Sequence, residues 1–87
     1  MFLKDLAQIS RGTLLGESLN VNDFSIDSRS IKKGQLYIAL KGDNFDGHDF
    51  VEEAIKKGAS AVVISKDMEG DFPKIVVKDT KEFINSI

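Results

Sequence analysis

The sequence contains no cysteine, one proline and one histidine in its 87 residues. Without cysteine there is no disulfide framework and no thiolate metal site, and one histidine cannot build a histidine-rich zinc site. No apolar run approaches the roughly 20 residues that a membrane span needs. The amino terminus lacks the basic and apolar regions of a signal peptide. We therefore expect a soluble cytoplasmic domain with no membrane partner and no bound metal.

The chain also lacks a strong excess of positive or negative charge. Twelve basic and 14 acidic residues give a net charge of −2, and the two signs are interspersed. A nucleic-acid-binding domain normally carries a basic patch or stripe, so we expect no nucleic-acid partner. The length is that of one domain, and the 41% hydrophobic and 30% charged residues are ordinary for a globular protein.

The apolar spacing predicts an α/β fold, a small mixed sheet with flanking helices. Its centre is a strand-helix-strand unit over about Gln35–Ile64. Such a crossover joins two parallel strands. The predicted elements are a helix over Leu3–Ser10 that a left-handed Gly12 ends, strands at Phe24–Ile26, Gln35–Leu40 and Ala61–Ile64, and a helix over Phe50–Lys57.

The last part of the chain predicts one more strand and one more helix. Lys74–Val77 is a short apolar run, but the nine residues before it leave its direction open. Asp79 can cap a helix that begins at Thr80. Because that pattern ends on the apolar Ile87 without a stop signal, we expect the chain to be the front part of a longer protein.

The loop from Asp43 to Asp49 joins the predicted strand to the predicted helix and holds the only histidine. Open α/β sheets bind ligands at this position, beyond the carboxyl ends of their strands. Asp43, Asp46 and Asp49 would repel a phosphate at the helix start, so a neutral edge such as that of uracil fits better. Phe45 could stack on such a ring. Without a ligand, the same carboxylates would serve as helix caps.

Two cap arrangements remain open in this loop. Asp49 with Glu52 has the spacing of a capping box, while Asp46 could cap the chain one turn earlier.

A second polar turn, Asp27-Ser28-Arg29, follows the strand at Phe24–Ile26. The guanidinium fork of Arg29 matches the oxygen geometry of a diphosphate. Asp27 and Arg29 could equally stabilise the turn by pairing with each other or with neighbours. The residue types alone leave both interpretations open.

No catalytic residue is indicated. A single histidine beside a helix start is usually structural, and a hydrolase built on His48 with Asp46 or Asp49 would need Ser28 or Ser30 as its nucleophile. Gly42 and Gly47 have part of the spacing of a P-loop, but histidine stands where the lysine would be. The sequence therefore has no nucleoside-triphosphate site.

Taken together and in order, several motifs resemble the amino-terminal domain of the Mur ligase family. They are Asp27-Ser28-Arg29, Ile31, Gly34, Leu36–Ala39, Gly42, Asp46-Gly47-His48, Phe50, Ala54, Gly58-Ala59 and Ala61-Val62. The segment Asn44–Phe50 is most similar to the member that adds D-alanyl-D-alanine. The member that adds the third peptide residue is similar as well.

The resemblance implies a role in making peptidoglycan precursors in the bacterial cytoplasm. Enzymes of this family join an amino acid or dipeptide to a UDP-N-acetylmuramoyl-peptide, using ATP and magnesium. Their amino-terminal domain holds the UDP end of the substrate. The central ATP-binding domain and the carboxy-terminal domain are absent from these 87 residues, so the chain alone should be inactive and bind no cofactor. Those domains would be its partners in cis.

The resemblance also implies a set of binding residues. The UDP contacts fall on Ile26, Ser28, Arg29, Asp43, Asn44 and Phe45. Asp46, Gly47 and His48 are expected to shape the loop and cap the helix. The alternative function is a stand-alone interaction module that reuses the fold without binding a nucleotide, since a fold does not fix a function.

Overall fold

The computed structural model describes all 87 residues as three helices and five strands. In chain order these are α1 (Leu3–Ser10), β1 (Thr13–Leu15), β2 (Phe24–Ser25), β3 (Leu36–Ile38), α2 (Val51–Lys56), β4 (Ala61–Ile64), β5 (Lys74–Val76) and α3 (Thr80–Ser86), with a 3₁₀ turn at Gly47–Phe50 that leads into α2. None of the helices has the length and apolar character needed to cross a membrane.

The strands form one mixed sheet in the order β1-β5-β4-β3-β2. The four strands from β2 to β5 are parallel, and β1 pairs antiparallel with β5 at one edge. The predicted α/β class and the parallel unit around α2 are confirmed. The open direction of the fourth predicted strand is settled as parallel, and β1 is a strand that the sequence patterns did not identify.

The sheet is covered on both faces. On one face α1 and α3 pack through Leu6 and Phe83 against side chains such as Val63 and Ile75. On the other face α2 packs through Val51 and Ala54. All four residues of β4 are fully buried, which explains why that strand is one continuous apolar run.

The end of α1 differs from the prediction. Arg11, not Gly12, takes the left-handed conformation with φ 59°, and its N–H donates to the carbonyl of Gln8. Gly12 is required for a different reason, since it passes close to β5. A Cβ at Gly12 would lie 2.7 Å from Cγ1 of Val77 and 2.8 Å from Cγ2 of Ile75.

Gly12→Ala should therefore destabilise the protein by about 1–3 kcal/mol, because the added methyl overpacks the core between α1 and β5. Gly42→Ala is the control, since its Cβ would meet only the carbonyl oxygen of Phe45 at 3.8 Å. We expect the control to stay within about 1 kcal/mol of wild type. Urea unfolding measures both, and equal midpoints for the two variants would contradict the packing argument.

Candidate functional site

An open groove of about 560 Å³ lies at the carboxyl edge of the sheet. Because β2 and β3 are parallel neighbours, the segments that follow them leave the sheet at the same edge. The segment after β2 supplies one wall of the groove, and the loop after β3 supplies the other together with the start of α2. The lining residues are Ile26, Asp27, Ser28, Arg29, Phe45, Phe50 and Glu53.

Two stacked aromatic rings form the apolar wall. The centroids of Phe45 and Phe50 are 5.5 Å apart and their planes differ by 11°. Both rings are partly exposed, as is Ile26 on the opposite side. Large exposed apolar side chains gathered around a concavity are typical of a ligand site, where a flat ring can cover them.

The floor of the groove is polar. Ser28 is buried, and its hydroxyl donates to Oε2 of Glu53 over 3.3 Å. The other oxygen of Glu53, Oε1, lies 3.3 Å from the ammonium group of Lys57 one helical turn later. Ser28 is thus fixed by α2, and the Glu53 carboxylate keeps acceptor sites that face the groove.

Asp27 and Arg29 form a two-point ion pair at the rim. Nε of Arg29 donates to Oδ1 of Asp27, and the second donor reaches Oδ2, each over 3.1 Å. The guanidinium hydrogen bonds, followed by that of the Arg29 backbone N–H, hold the pKa of Asp27 below its ordinary value. The same side-chain bond raises the pKa of Arg29. The groove charges therefore balance, with Glu53 and Lys57 as the second pair.

The structure brings together four of the six residues that the resemblance assigned to UDP. Ile26, Ser28, Arg29 and Phe45 line the groove, whereas Asp43 and Asn44 lie on the same loop without lining it. Their contact with a ligand, like that of the other four, stays a prediction.

Sequence reasoning assigned no binding role to three lining residues, Asp27, Phe50 and Glu53. The helical pattern placed Phe50 on the core face, but it is 37% exposed and its ring stacks on Phe45. The chain starts the helix as a 3₁₀ turn, which rotates Phe50 away from the face that Val51 and Ala54 share. The three-residue spacing of Phe50 and Glu53 was the available signal that they lie on one side.

Asp46 is the cap of this turn. Its Oδ1 accepts the backbone N–H of His48 over 2.9 Å and the ring Nδ1–H of His48 over 2.6 Å, while Oδ2 pairs with the ammonium group of Lys66 at 3.1 Å. The backbone bond, then the ring bond and the Lys66 bond, hold the pKa of Asp46 well below its ordinary value of 3.8. Asp46 takes the capping role, and the side chain of Asp49 caps neither the 3₁₀ turn nor α2.

His48 is buried and structural. Its Nε2 accepts a hydrogen bond from the backbone N–H of Ser65 over 3.0 Å. The ring proton is therefore on Nδ1, which donates a hydrogen bond to Asp46. Both ring nitrogens are used, and neither can act on a substrate. The Ser28 hydroxyl is bonded to Glu53 and that of Ser30 to Ser25 and the Asp27 carbonyl. The hydrolase alternative has no free base and no free nucleophile.

Gly47 lies where the loop passes closest to the backbone of Leu40. A Cβ there would lie 2.8 Å from the backbone nitrogen and oxygen of Leu40. Its carbonyl accepts the hydroxyl of Tyr37 over 2.7 Å from inside the sheet. The Asp46-Gly47-His48 motif thus fixes the loop to β3 and to β4, as its predicted shaping role requires.

The residues present do not fit an ATP-magnesium group. The chain has no G-x-x-x-x-G-K-[ST] sequence, and no group of three or more histidine and carboxylate side chains is placed to hold a metal ion.

A family model described as "Mur ligase family, catalytic domain" matches residues 20–86. The UDP-N-acetylmuramoyl-tripeptide--D-alanyl-D-alanine ligase of Escherichia coli (strain K12) is 38% identical over 79 residues, which are 91% of this chain and 18% of that protein. The UDP-N-acetylmuramoyl-L-alanyl-D-glutamate--2,6-diaminopimelate ligase of Aquifex aeolicus (strain VF5) is 42% identical over 62 residues, 71% of this chain and 13% of that protein. The chain thus spans less than a fifth of these relatives.

Solved structures agree with the fold. The UDP-N-acetylmuramoylalanyl-D-glutamyl-2,6-diaminopimelate--D-alanyl-D-alanyl ligase of Acinetobacter baumannii superposes with a TM-score of 0.84 at 24% identity, over 95% of this chain and 19% of that one. The MurF ligase of Thermotoga maritima, solved in complex with ADP, gives 0.64 at 29% identity, over 75% and 15%.

Asp46→Asn should lower stability at neutral pH, and the difference from wild type should shrink on acidification. A carboxylate whose pKa is depressed by folding stabilises the protein above its unfolded-state pKa of about 3.9, and that contribution is lost as the pH falls from about 4 through the folded value. Urea unfolding between neutral and strongly acidic pH measures the gap. The control is Asp49→Asn, the same charge change on an exposed carboxylate of the same turn, and it should show no such pH-dependent loss of stability. A stability difference between Asp46→Asn and wild type that does not change with pH would contradict the capping assignment.

Tyr37 should ionise only far into the alkaline range. Burial first, and then the negative charges of Asp27, Glu53 and Asp46, raise the pKa of Tyr37 to about 12. Because it is the only tyrosine and there is no tryptophan, the phenolate absorbance reports this residue alone. Stability should be full below the unfolded-state pKa of about 10 and fall as the pH rises toward 12. An ordinary titration near pH 10 in the folded protein would refute the burial of the hydroxyl.

Proposed function

The chain belongs to the Mur ligase family, and from that premise we propose that it is the amino-terminal domain, which holds the UDP end of a UDP-N-acetylmuramoyl-peptide. The parent enzyme would be the cytoplasmic ligase that adds D-alanyl-D-alanine. The similarity to the Escherichia coli enzyme over 91% of the chain supports that assignment. The ligase that adds the third peptide residue is the nearest alternative.

Catalysis would come from the rest of the ligase. ATP and magnesium would act in domains outside these 87 residues, because this chain has neither a P-loop nor a metal cluster. The task left to the chain is to anchor one end of a long substrate. Binding energy from a remote part of a substrate helps to orient its reacting end.

The observation that carries the proposal is the groove beyond β2 and β3. Its stacked Phe45 and Phe50 rings offer a face for a planar base, and base-aromatic stacking is worth about 1–3 kcal/mol. The balanced charges of its walls suit the neutral uracil ring better than a free phosphate.

Polar groups beside the rings can read the edge of uracil. The backbone N–H groups of Asn44 and Phe45 make no hydrogen bond within the chain. They are available for a uracil carbonyl, and Ser28 is held at the floor of the groove by Glu53. Arg29 uses two donors on Asp27 and keeps others for a diphosphate oxygen at the rim.

Titration of the labelled chain with UDP, with ADP as the comparison, tests the proposal. Backbone amide shifts suit the measurement, since a Kd on the order of millimolar is expected of an isolated anchor. We expect saturable shifts with UDP, centred on Ser28 and on Asn44 to Gly47, and weaker ones with ADP. Phe45→Ala should weaken UDP binding about tenfold through the lost stacking.

Phe2→Ala is the matched control for Phe45→Ala. The two rings are 49% and 51% exposed, and Phe2 lies beside Lys4 and Asp5, away from the groove. The control should bind UDP as wild type does. Equal amide shifts with UDP and ADP, or none with either, would contradict the proposal for this chain. They would favour the interaction module that binds no nucleotide.

A further inference from the structure

A second cavity, of about 240 Å³, lies at the same edge of the sheet as the groove. Its residues follow three different strands, with Lys41 after β3, Ser65 after β4 and the remainder after β5. No apolar residue lines it. The lining residues are Lys41, Ser65, Lys78, Asp79, Thr80 and Lys81.

The three lysines of this cavity have no partner in the chain. None of their ammonium groups lies within 4.0 Å of a carboxylate, and none donates a hydrogen bond. Asp79 is the only acidic residue in the wall, and its Oδ1 accepts the backbone N–H of Lys81 over 2.8 Å. The wall therefore carries an excess of two positive charges in a protein whose net charge is −2.

Thr80 adds a hydroxyl to the wall of this cavity. The residue is 97% buried, yet its hydroxyl makes no hydrogen bond within the chain. No fully buried side-chain oxygen lacks a partner, so the hydroxyl must reach the cavity surface. A donor left free in the wall of a cationic cavity is placed to meet an acceptor from outside.

The cavity is also held in shape. The backbone N–H of Ser65 donates to Nε2 of His48, whose ring is fixed by Asp46. The backbone of Lys41 pairs with that of Asp46 in an antiparallel bridge at the base of the loop. The same buried histidine that shapes the groove loop therefore also positions the Ser65 wall of the cavity.

We propose that this cavity binds an oxyanion, phosphoryl or carboxylate, through the ammonium groups of Lys41, Lys78 and Lys81 and the hydroxyl of Thr80. Hydrogen bonds between an ammonium group and an oxyanion are among the strongest that proteins form. The site is distinct from the groove and requires no uridine, so it does not depend on the proposed function.

The first test is titration of the labelled chain with inorganic pyrophosphate and, separately, with succinate. Saturable shifts at the amides of Lys41, Ser65, Thr80 and Lys81 are expected for at least one of the two anions. The responding anion identifies the chemical class. Shifts that grow linearly without saturation, or that fall outside this cavity, overturn the proposal.

Variants separate a site from general charge attraction. Lys78→Gln should weaken binding about tenfold through the loss of a charged donor. Thr80→Val keeps the shape and removes a hydroxyl without an internal partner, so affinity should fall about threefold to tenfold while stability stays unchanged. Lys32→Gln removes an exposed lysine elsewhere and should leave affinity unchanged. A loss with Lys32→Gln as large as with Lys78→Gln overturns the site.

A comparison of UDP with uridine identifies where the anion comes from. If UDP moves the cavity amides and uridine moves only those of the groove, the cavity receives the phosphoryl groups of the nucleotide. If pyrophosphate or succinate saturates the cavity while UDP moves the groove alone, the cavity binds a separate oxyanion. Failure of UDP at the groove with saturation by either anion at the cavity refutes the proposed function but supports this one.

Discussion

The carboxylate of Asp46 is the contact on which the edge of the sheet depends. It accepts two hydrogen bonds from His48 and one from Lys66, so it joins the loop after β3 to the segment after β4. The ring of His48 in turn accepts a hydrogen bond from the backbone N–H of Ser65, which ties the segment after β4 to the loop. A loop of polar residues between a strand and a helix would otherwise be mobile, and its ordering costs entropy. Here these hydrogen bonds, partly buried at His48 and exposed at Lys66, offset that cost and hold the loop that carries Phe45.

The position of the groove follows from strand polarity. Because β2 to β5 run in one direction, every segment that follows one of these strands leaves at the same edge. Aromatic rings and paired charges lie at the ends of β2 and β3, and the unpaired lysines of the second cavity follow β3 and β5. One edge thus presents an apolar, charge-balanced region next to a cationic one.

The sequence predicted the elements with strong periodicity and missed those that depend on partners far along the chain. The apolar run Ala61–Ile64 and the unit around α2 carry their pattern locally, so both were correct. Thr13–Leu15 becomes a strand only because β5 lies beside it. Gly12 was assigned a turn role, but the approach of Val77 explains it. In the site, motif resemblance found Ser28 and Phe45, whereas the exposed position of Phe50 depends on the 3₁₀ turn that precedes α2.

The pairing of β1 with β5 also sets the order in which this fold can form. Leu14 faces Ile75, a partner about sixty residues later in the chain. Closing so long a loop costs entropy before any contact is gained, so such pairings form late. The unit from β3 to β4 pairs residues that are much closer in the chain, such as Leu36 with Ala61, and can form first. During synthesis, α1 and β1 emerge from the ribosome early but must wait for Val77 and Phe83 before their face of the sheet is covered. The elements of this fold that are made first are thus among the last to be buried.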